Sequence, residues 1–263
     1  MIPALQVRDV VVRFGRTMGL DGVSLTVPAG STFGIVGESG SGKTTLMRAV
    51  LGLQPVASGE IRLFGTALGR GEASLRLRSR TVQAVLQDPA ASLSPRQRIG
   101  RMVDEIATLQ REPRDATRAR AEALFTRLGL PSVTLDKYPH QISGGQARRV
   151  AVIRTLLMQP KVVFADEPTA GLDVSVQGEL LNLLCDLKAD FGLTLIVISH
   201  NLAAVRAIAD QAAVMHRGQV VEQGPSAQVF DAPQSAYMQG LIAAWPRLAR
   251  GTGDQRANQL PNS

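Results

Sequence analysis

The sequence predicts an α/β fold: a largely parallel sheet with helices on its faces, interrupted by an all-helical insertion. Three observations predict it. Short apolar, β-branched runs alternate with helix-patterned segments on either side of the middle of the chain. From about Asp88 to Met158, Val, Ile and aromatic residues thin out while Arg, Glu, Ala and Leu dominate. The 263 residues are 44% hydrophobic and 19% charged, a globular composition long enough for a substantial core.

The elements follow in order. Leu5–Arg8 and Val10–Phe14 read as strands, and Ser24–Val27 is a strand closed by Pro28-Ala29-Gly30. Thr32–Val36 is a short apolar run of the buried-strand kind, leading through a glycine-rich loop into a helix over Thr44–Leu53. Ser58-Gly59 and Phe64-Gly65 bracket another strand, and Thr81–Leu86 is a further one. In the insertion, Arg96–Leu109 and Ala116–Leu128 have helical periodicity, the latter stopped by Gly129. Strand character returns at Lys161–Asp166. Val176, Leu180, Leu183, Leu184, Leu187 and Phe191 mark an amphipathic helix. Leu193–Ile198 is a strand, Leu202–Ile208 a helix, Ala212–Met215 a strand, and Arg217-Gly218 turns into a last strand at Gln219–Glu222. Gly251–Ser263 reads as a disordered tail.

Lys+Arg 29 against Asp+Glu 22 gives a formal charge of +7, with pI ≈ 10.4. That balance fits nucleic acid, an anionic membrane face or polyphosphate, and does not choose among them. Mean hydropathy is +0.05 and no run of about 18 apolar residues exists, which argues against a membrane span. Met1–Val12 lacks the basic-then-apolar pattern of a secretory leader. The lone Cys185 excludes an internal disulfide framework and multi-cysteine metal sites. The expectation is a soluble cytosolic chain.

Gly37-Glu38-Ser39-Gly40-Ser41-Gly42-Lys43-Thr44 fits G-x-x-x-x-G-K-[ST], the phosphate-binding P-loop. A loop that turns its amides inward around phosphate oxygens needs glycines, and the following helix aims its positive end at the same anion. Lys43 reaches the outer phosphates and the Thr44 hydroxyl can bind Mg²⁺. Val162–Glu167 is an apolar strand ending in two carboxylates: Asp166 is placed to hold Mg²⁺, Glu167 to accept a proton from an attacking water. His200 follows the Leu193–Ser199 strand at the same sheet edge, placed to hydrogen-bond a γ-phosphate and orient water. Ser143 is a good helix N-cap followed by Gly144 and Gly145, which makes a second anion-binding helix start. Two such sites a hundred residues apart serve one phosphate tail only if the insertion folds over it or two chains face each other.

With the P-loop, Gln87 after a strand, Ile142–Gln146, Asp166-Glu167, Leu172-Asp173 and His200 in this order, the chain resembles the ATP-binding subunits of ABC transporters from about Leu5 to Pro246. The resemblance implies a P-loop NTPase (RecA-like) core with an N-terminal antiparallel β subdomain, and a helical signature subdomain inserted at about 88–158. Together these make one domain over residues 1–250. It implies ATP and Mg²⁺, with Phe14 stacking on adenine and residues Gly37 to Thr45 cradling the phosphates. Gln87 would touch Mg²⁺ and water. Ser143, Gly144, Gly145 and Gln146 would meet the ATP held by an opposite subunit. Asp173 would cross the dimer interface. Glu167 would be the general base and His200 the switch histidine.

The stretches Gln87–Arg96, Tyr138-Pro139-His140, Leu172–Gln177 and Val229–Pro246 resemble more closely the peptide/nickel uptake subfamily. That likeness implies transmembrane permease subunits, a second ATP-binding subunit (identical or paralogous), an external solute-binding protein, and a peripheral place at the cytoplasmic membrane face. No nucleic-acid partner is expected: although the basic charge mildly favours one, ABC ATPases acting on DNA or ribosomes usually carry a coiled-coil insert or tandem cassettes, for which 263 residues leave no room. Three departures stand out. Ile142 replaces the signature Leu, Ala170-Gly171 stands where Ser-Ala is usual, and the C-terminal cysteine cluster of some members is missing.

Overall fold

Strands of two kinds build two sheets. The computed structural model describes residues 2–86, 88, 92–172 and 174–244. Alternating burial marks β1 (Leu5–Phe14) and β2 (Thr17–Val27), which pair antiparallel. With β4 (Ser58–Leu63) and the two-residue β5 (Thr66–Ala67) they form a four-stranded sheet in the order β2-β1-β4-β5. The two strands expected at Leu5–Arg8 and Val10–Phe14 are one strand with a bulge. Asp9 takes a left-handed φ of 49°, and its N–H and carboxylate both bond the Ser24 hydroxyl.

The second sheet is the expected parallel one. Its order is β10-β9-β3-β8-β7-β6, built from β3 (Thr32–Val36), β6 (Val82–Val85), β7 (Val162–Asp166), β8 (Thr194–Ser199), β9 (Gln211–His216) and β10 (Gln219–Pro225). All neighbours run parallel except β9 and β10. Every residue of β3, β7 and β8 is buried, which is why they read as continuous apolar runs. The register sets Val36 opposite Ser199 and Asp166 opposite Ile198, so the loops after β3, β7 and β8 leave the sheet at one edge.

Side chains alternating across these strands feed two cores. Val162, Phe164, Ile196 and Ile198 pack with the antiparallel sheet and helix α1 (Lys43–Leu51). Val163, Ala165, Leu195 and Val197 pack against the helical insertion. That insertion contains α3 (Ile99–Gln110), α4 (Arg114–Arg127) and α5 (Gly144–Leu157), with two 3-10 turns at Ser132–Asp136 and Pro139–Gln141. Thr117, Ala121, Leu124 and Phe125 give α4 its buried stripe, and Gly129 follows it at φ 64°. Helix α2 (Glu72–Thr81) was not expected from the sequence pattern; α6 (Val174–Phe191), α7 (Leu202–Ile208), α8 (Ser226–Asp231) and α9 (Ala236–Ala244) complete the chain. No helix among the described residues is long and apolar enough to cross a membrane.

Candidate functional site

The glycine-rich loop leaves β3 and wraps the start of α1. Each glycine that turns it has a reason. Gly37 has φ 150° and a Cβ there would lie 2.2 Å from the Met215 carbonyl oxygen. Gly42 has φ 105° with the Gly19 carbonyl oxygen 2.9 Å from its missing Cβ. Gly42 is also the N-cap of α1 and offers no side chain to satisfy the first-turn amides. Those amides therefore face the cavity as unpaired donors at the positive end of a helix.

Lys43 sits beneath the loop, 6% exposed. Its Nζ donates to the Gly37 carbonyl at 2.8 Å, the Glu38 carbonyl at 2.7 Å and Ser41 Oγ at 3.3 Å. Burial holds its pKa below the usual lysine range, against the opposing pull of Glu167, Asp166 and Glu38. An ammonium so placed is preorganised toward an anion in the loop.

Asp166 ends β7, 7% exposed. Its Oδ2 accepts a long hydrogen bond from Thr44 Oγ1 at 3.3 Å, while Oδ1 is buried with no partner. Burial drives its pKa upward, with Glu167 adding to the effect and Thr44 and Lys43 opposing it. Glu167 follows with φ 47°, a left-handed conformation that L side chains rarely take and that turns the carboxylate back over the strand ends. Its Oε1 accepts from the His200 backbone N–H at 3.0 Å and contacts His200 Nδ1 at 2.8 Å; its Oε2 accepts from Ser199 Oγ at 3.0 Å. The His200 ring is mostly exposed, and a proton on Nδ1 leaves Nε2 as an acceptor.

These residues line one cavity of about 1040 Å³: Phe14, residues 37–40 and 42–45, Asp166, Glu167 and His200 share its wall. Ser41 stands behind it, buried, as a support for Lys43. Phe14 is 47% exposed at the mouth, its ring lying over Gly19, where a Cβ would come within 2.5 Å. The cavity also draws on residues the motif reading did not single out: Thr17 to Gly19 of the first hairpin, Asn201 and Leu202 after β8, and Leu241 and Ala244 of α9. Ser199 was missed as a partner of Glu167. An apolar strand that ends in a hydroxyl residue directly before His200 was the available signal.

The signature residues lie elsewhere. Ser143 caps α5: its Oγ accepts from the Gln146 N–H at 3.2 Å, and Gln146 Oε1 accepts from the Ser143 N–H at 3.0 Å. Gly144 and Gly145 are exposed, with open space where their Cβ atoms would be. They line a separate concavity of about 400 Å³ with Arg148, Leu172 and Glu179. Within this chain the two helix starts that the sequence marks as anion-binding therefore line separate concavities. Gln87 and Asp173, which the resemblance also marks, lie outside the described residues, as does the tail at 251–263. Gly171 has φ 72° with nothing crowding it, so this departure from the family pattern seats a glycine where the backbone is left-handed. Ile142 packs partly buried against the helical core, which needs an apolar residue rather than Leu in particular.

The residues fit a nucleotide and a hard cation. At Gly37 and Gly42 the loop lies too close to neighbouring backbone for any Cβ, and Lys43 and the uncapped start of α1 supply its positive end. Asp166 Oδ1 is a buried oxygen without a partner beside a threonine hydroxyl, the donor set a Mg²⁺ bound mainly by phosphates and water requires. Among the described residues no group of three or more His, Cys, Asp or Glu forms an all-protein metal site.

Comparison with known proteins agrees with this geometry. The family model described as ABC transporter matches residues 20–170. The dipeptide transport ATP-binding protein DppF of Escherichia coli K12 is 40% identical over 231 residues, covering 87% of this chain and 69% of the relative. The dipeptide transport ATP-binding protein DppF of Haemophilus influenzae is 39% identical over 248 residues, covering 92% and 76%. Among solved structures, cbiO1 of Clostridium perfringens, part of the ABC transporter complex cbiONQ, superposes with a TM-score of 0.80 at 30% identity over 88% of this chain and 92% of that one. With a P-loop, a carboxylate pair and a histidine gathered on one cavity, and a signature helix start lining a separate one, the chain belongs to the ABC transporter family as an ATP-binding subunit, an ATPase.

Proposed function

We propose that this chain hydrolyses ATP to energise import of a small solute, of the peptide or nickel-chelate class, through partner permease subunits. It would act at the cytoplasmic face of the membrane, in a complex served by an external solute-binding protein. The observation that carries the dimeric mechanism is the separation of the two anion-binding helix starts. Lys43 lines one cavity and Gly144 another, so a complete site needs the signature face of a second ATP-binding subunit. The peptide class rests on the relatives named for dipeptide transport and on the Gln87–Arg96 and Tyr138–His140 stretches.

The roles follow from the geometry. Phe14 offers an exposed ring at the mouth for a base. Lys43 and the amides of residues 40–45 bind the phosphates, and Lys43 exchanges its loop carbonyl partners for phosphate oxygens. Thr44 and Asp166 would hold Mg²⁺, which supplies charge neutralisation on the phosphoryl oxygens. Glu167, fixed by Ser199 and His200, orients a water and takes its proton. His200 keeps Glu167 in place, its backbone N–H and its Nδ1 both meeting Oε1. Ser143 of the second subunit closes over that phosphate, so a bound triphosphate favours the closed pair and its hydrolysis releases it.

Phosphate release measured on the purified chain, and co-purification with polytopic membrane subunits, test the proposal. Release that is absent with the permease present would overturn the energising role. Recovery with nucleic acid in place of a membrane subunit would overturn the transport role.

A further inference from the structure

We propose that Tyr237, near the C-terminus, is a positioning residue for Lys43, and that helix α9 is a fixed wall of the ATP site. The link is one peptide unit. The bond between Gly37 and Glu38 carries the Gly37 carbonyl, which accepts from Lys43 Nζ at 2.8 Å. Its other edge is the Glu38 N–H, which donates to the Tyr237 hydroxyl at 3.2 Å. Tyr237 and Lys43 therefore grip opposite edges of the same plane. A rotation of that plane moves the seat of the ammonium and breaks the tyrosine contact together.

The tyrosine is itself held. Its ring lies on the His216 imidazole with centroids 3.9 Å apart. His216 follows Met215, whose carbonyl oxygen would lie 2.2 Å from a Cβ at Gly37. The start of α9 is anchored by Glu222, whose carboxylate accepts from the Gln234 N–H, the Ser235 N–H and the Ser235 hydroxyl at 2.7 to 2.9 Å. Ser235 Oγ in turn accepts from the Met238 N–H at 3.2 Å, and Met238 is fully buried. Leu241, one turn beyond Tyr237, reaches the same cavity as Lys43 and Glu167. Burial, with the Glu38 charge adding to it, holds the Tyr237 phenol above its usual range, so the hydroxyl stays neutral.

The inference rests on ATP being the ligand of the cavity. Two variants of the full chain test it by phosphate release. Tyr237→Phe keeps the ring on His216 and removes the hydroxyl; KM for ATP is expected to rise roughly two- to tenfold, the worth of one net hydrogen bond, with kcat within about twofold. Leu241→Glu sets a carboxylate in the wall facing the polyphosphate, and KM is expected to rise more than about tenfold while the thermal midpoint holds. An unchanged KM in Tyr237→Phe, or a fall in kcat alone, overturns the positioning role. An unchanged KM in Leu241→Glu overturns the wall. Wild-type chain that neither binds nor hydrolyses ATP overturns the ATPase reading, a result distinct from either.

Discussion

Replacing Asp166 by Asn is expected to stabilise the nucleotide-free chain while abolishing hydrolysis. Asp166 is 7% exposed, its Oδ1 has no partner, and its one hydrogen bond, from Thr44, is long at 3.3 Å. A buried polar atom left unpaired costs about 1–3 kcal/mol. Lys43 returns part of that through charge attraction. Asparagine keeps the shape and an acceptor for Thr44 but drops the charge, so a gain of about 1 kcal/mol is expected, or about 2–4 °C in Tm for a chain of this size. The sign with pH follows from the raised folded-state pKa. The folded chain binds the Asp166 proton more tightly than the unfolded chain, so wild type loses stability as pH rises from the ordinary carboxylate range, about 3.9, through the raised value. The advantage of the variant therefore grows toward neutral pH and closes toward acid. Thermal unfolding across that range, without nucleotide, reads it directly. With magnesium nucleotide added, Tm of wild type should rise more than that of the variant. A variant no more stable than wild type at neutral pH, or a gap that widens toward acid, would show that the carboxylate costs the nucleotide-free chain nothing.

Four further outcomes are expected. Glu167→Gln should lower turnover by about 10²–10⁴ while keeping ATP affinity and trapping an ATP-bound pair of chains, checked by phosphate release and size-exclusion chromatography; near-normal turnover removes Glu167 from the role of base. Lys43→Ala should abolish hydrolysis and weaken nucleotide binding in titration calorimetry, and undiminished affinity contradicts the loop assignment. Ser143→Ala should cost about 1 kcal/mol by denaturant titration through loss of the cap of α5; the affinity of isolated chain for nucleotide should hold, because Ser143 does not line that cavity. Arg78→Ala should cost about 2 kcal/mol by the same titration, since two carbonyls lose a buried donor, with hydrolysis intact.

Arg78 also shows where the sequence stopped being legible. Helix α2 reads Glu-Ala-Ser-Leu-Arg-Leu-Arg-Ser-Arg-Thr, with Leu and Arg alternating and no apolar stripe. Its buried side chains are Arg78 and Thr81, and Arg78 holds the helix by bonds to the carbonyls of Val50 and Gly69 rather than by apolar burial. Hydrophobic periodicity is silent about a helix fixed this way. Asp9 is the second case: its bulge splits the apolar pattern of one strand into two. The site was legible for the opposite reason. Phosphate chemistry forces glycines, a lysine and strand-end carboxylates into fixed order, and the sheet register then carries the loops after β3, β7 and β8 to one edge. The contributions of Tyr237 and Leu241 were hidden because α9 reaches the site through packing, which leaves no motif.

The site carries electrostatic and conformational costs of its own, and these bear on how a ligand moves the protein. Lys43 and Asp166 are both buried, and burial pushes their protonation equilibria in opposite directions, each toward the neutral form. Glu167 sits in a left-handed conformation, a strain of order 1–3 kcal/mol. The first amides of α1 have no side-chain cap. Asp166 Oδ1 and the first amides of α1 gain partners when a polyphosphate and a cation arrive, and Lys43 exchanges loop carbonyls for phosphate oxygens, so part of these costs becomes binding energy specific to the loaded state. One chain lacks the signature half of the site, because Gly144 and Gly145 face a different concavity. In the proposed mechanism the remaining energy is collected by a second subunit closing over the first. Under the proposed mechanism, that is the differential affinity a nucleotide needs to drive closure, and its loss on hydrolysis would reopen the pair.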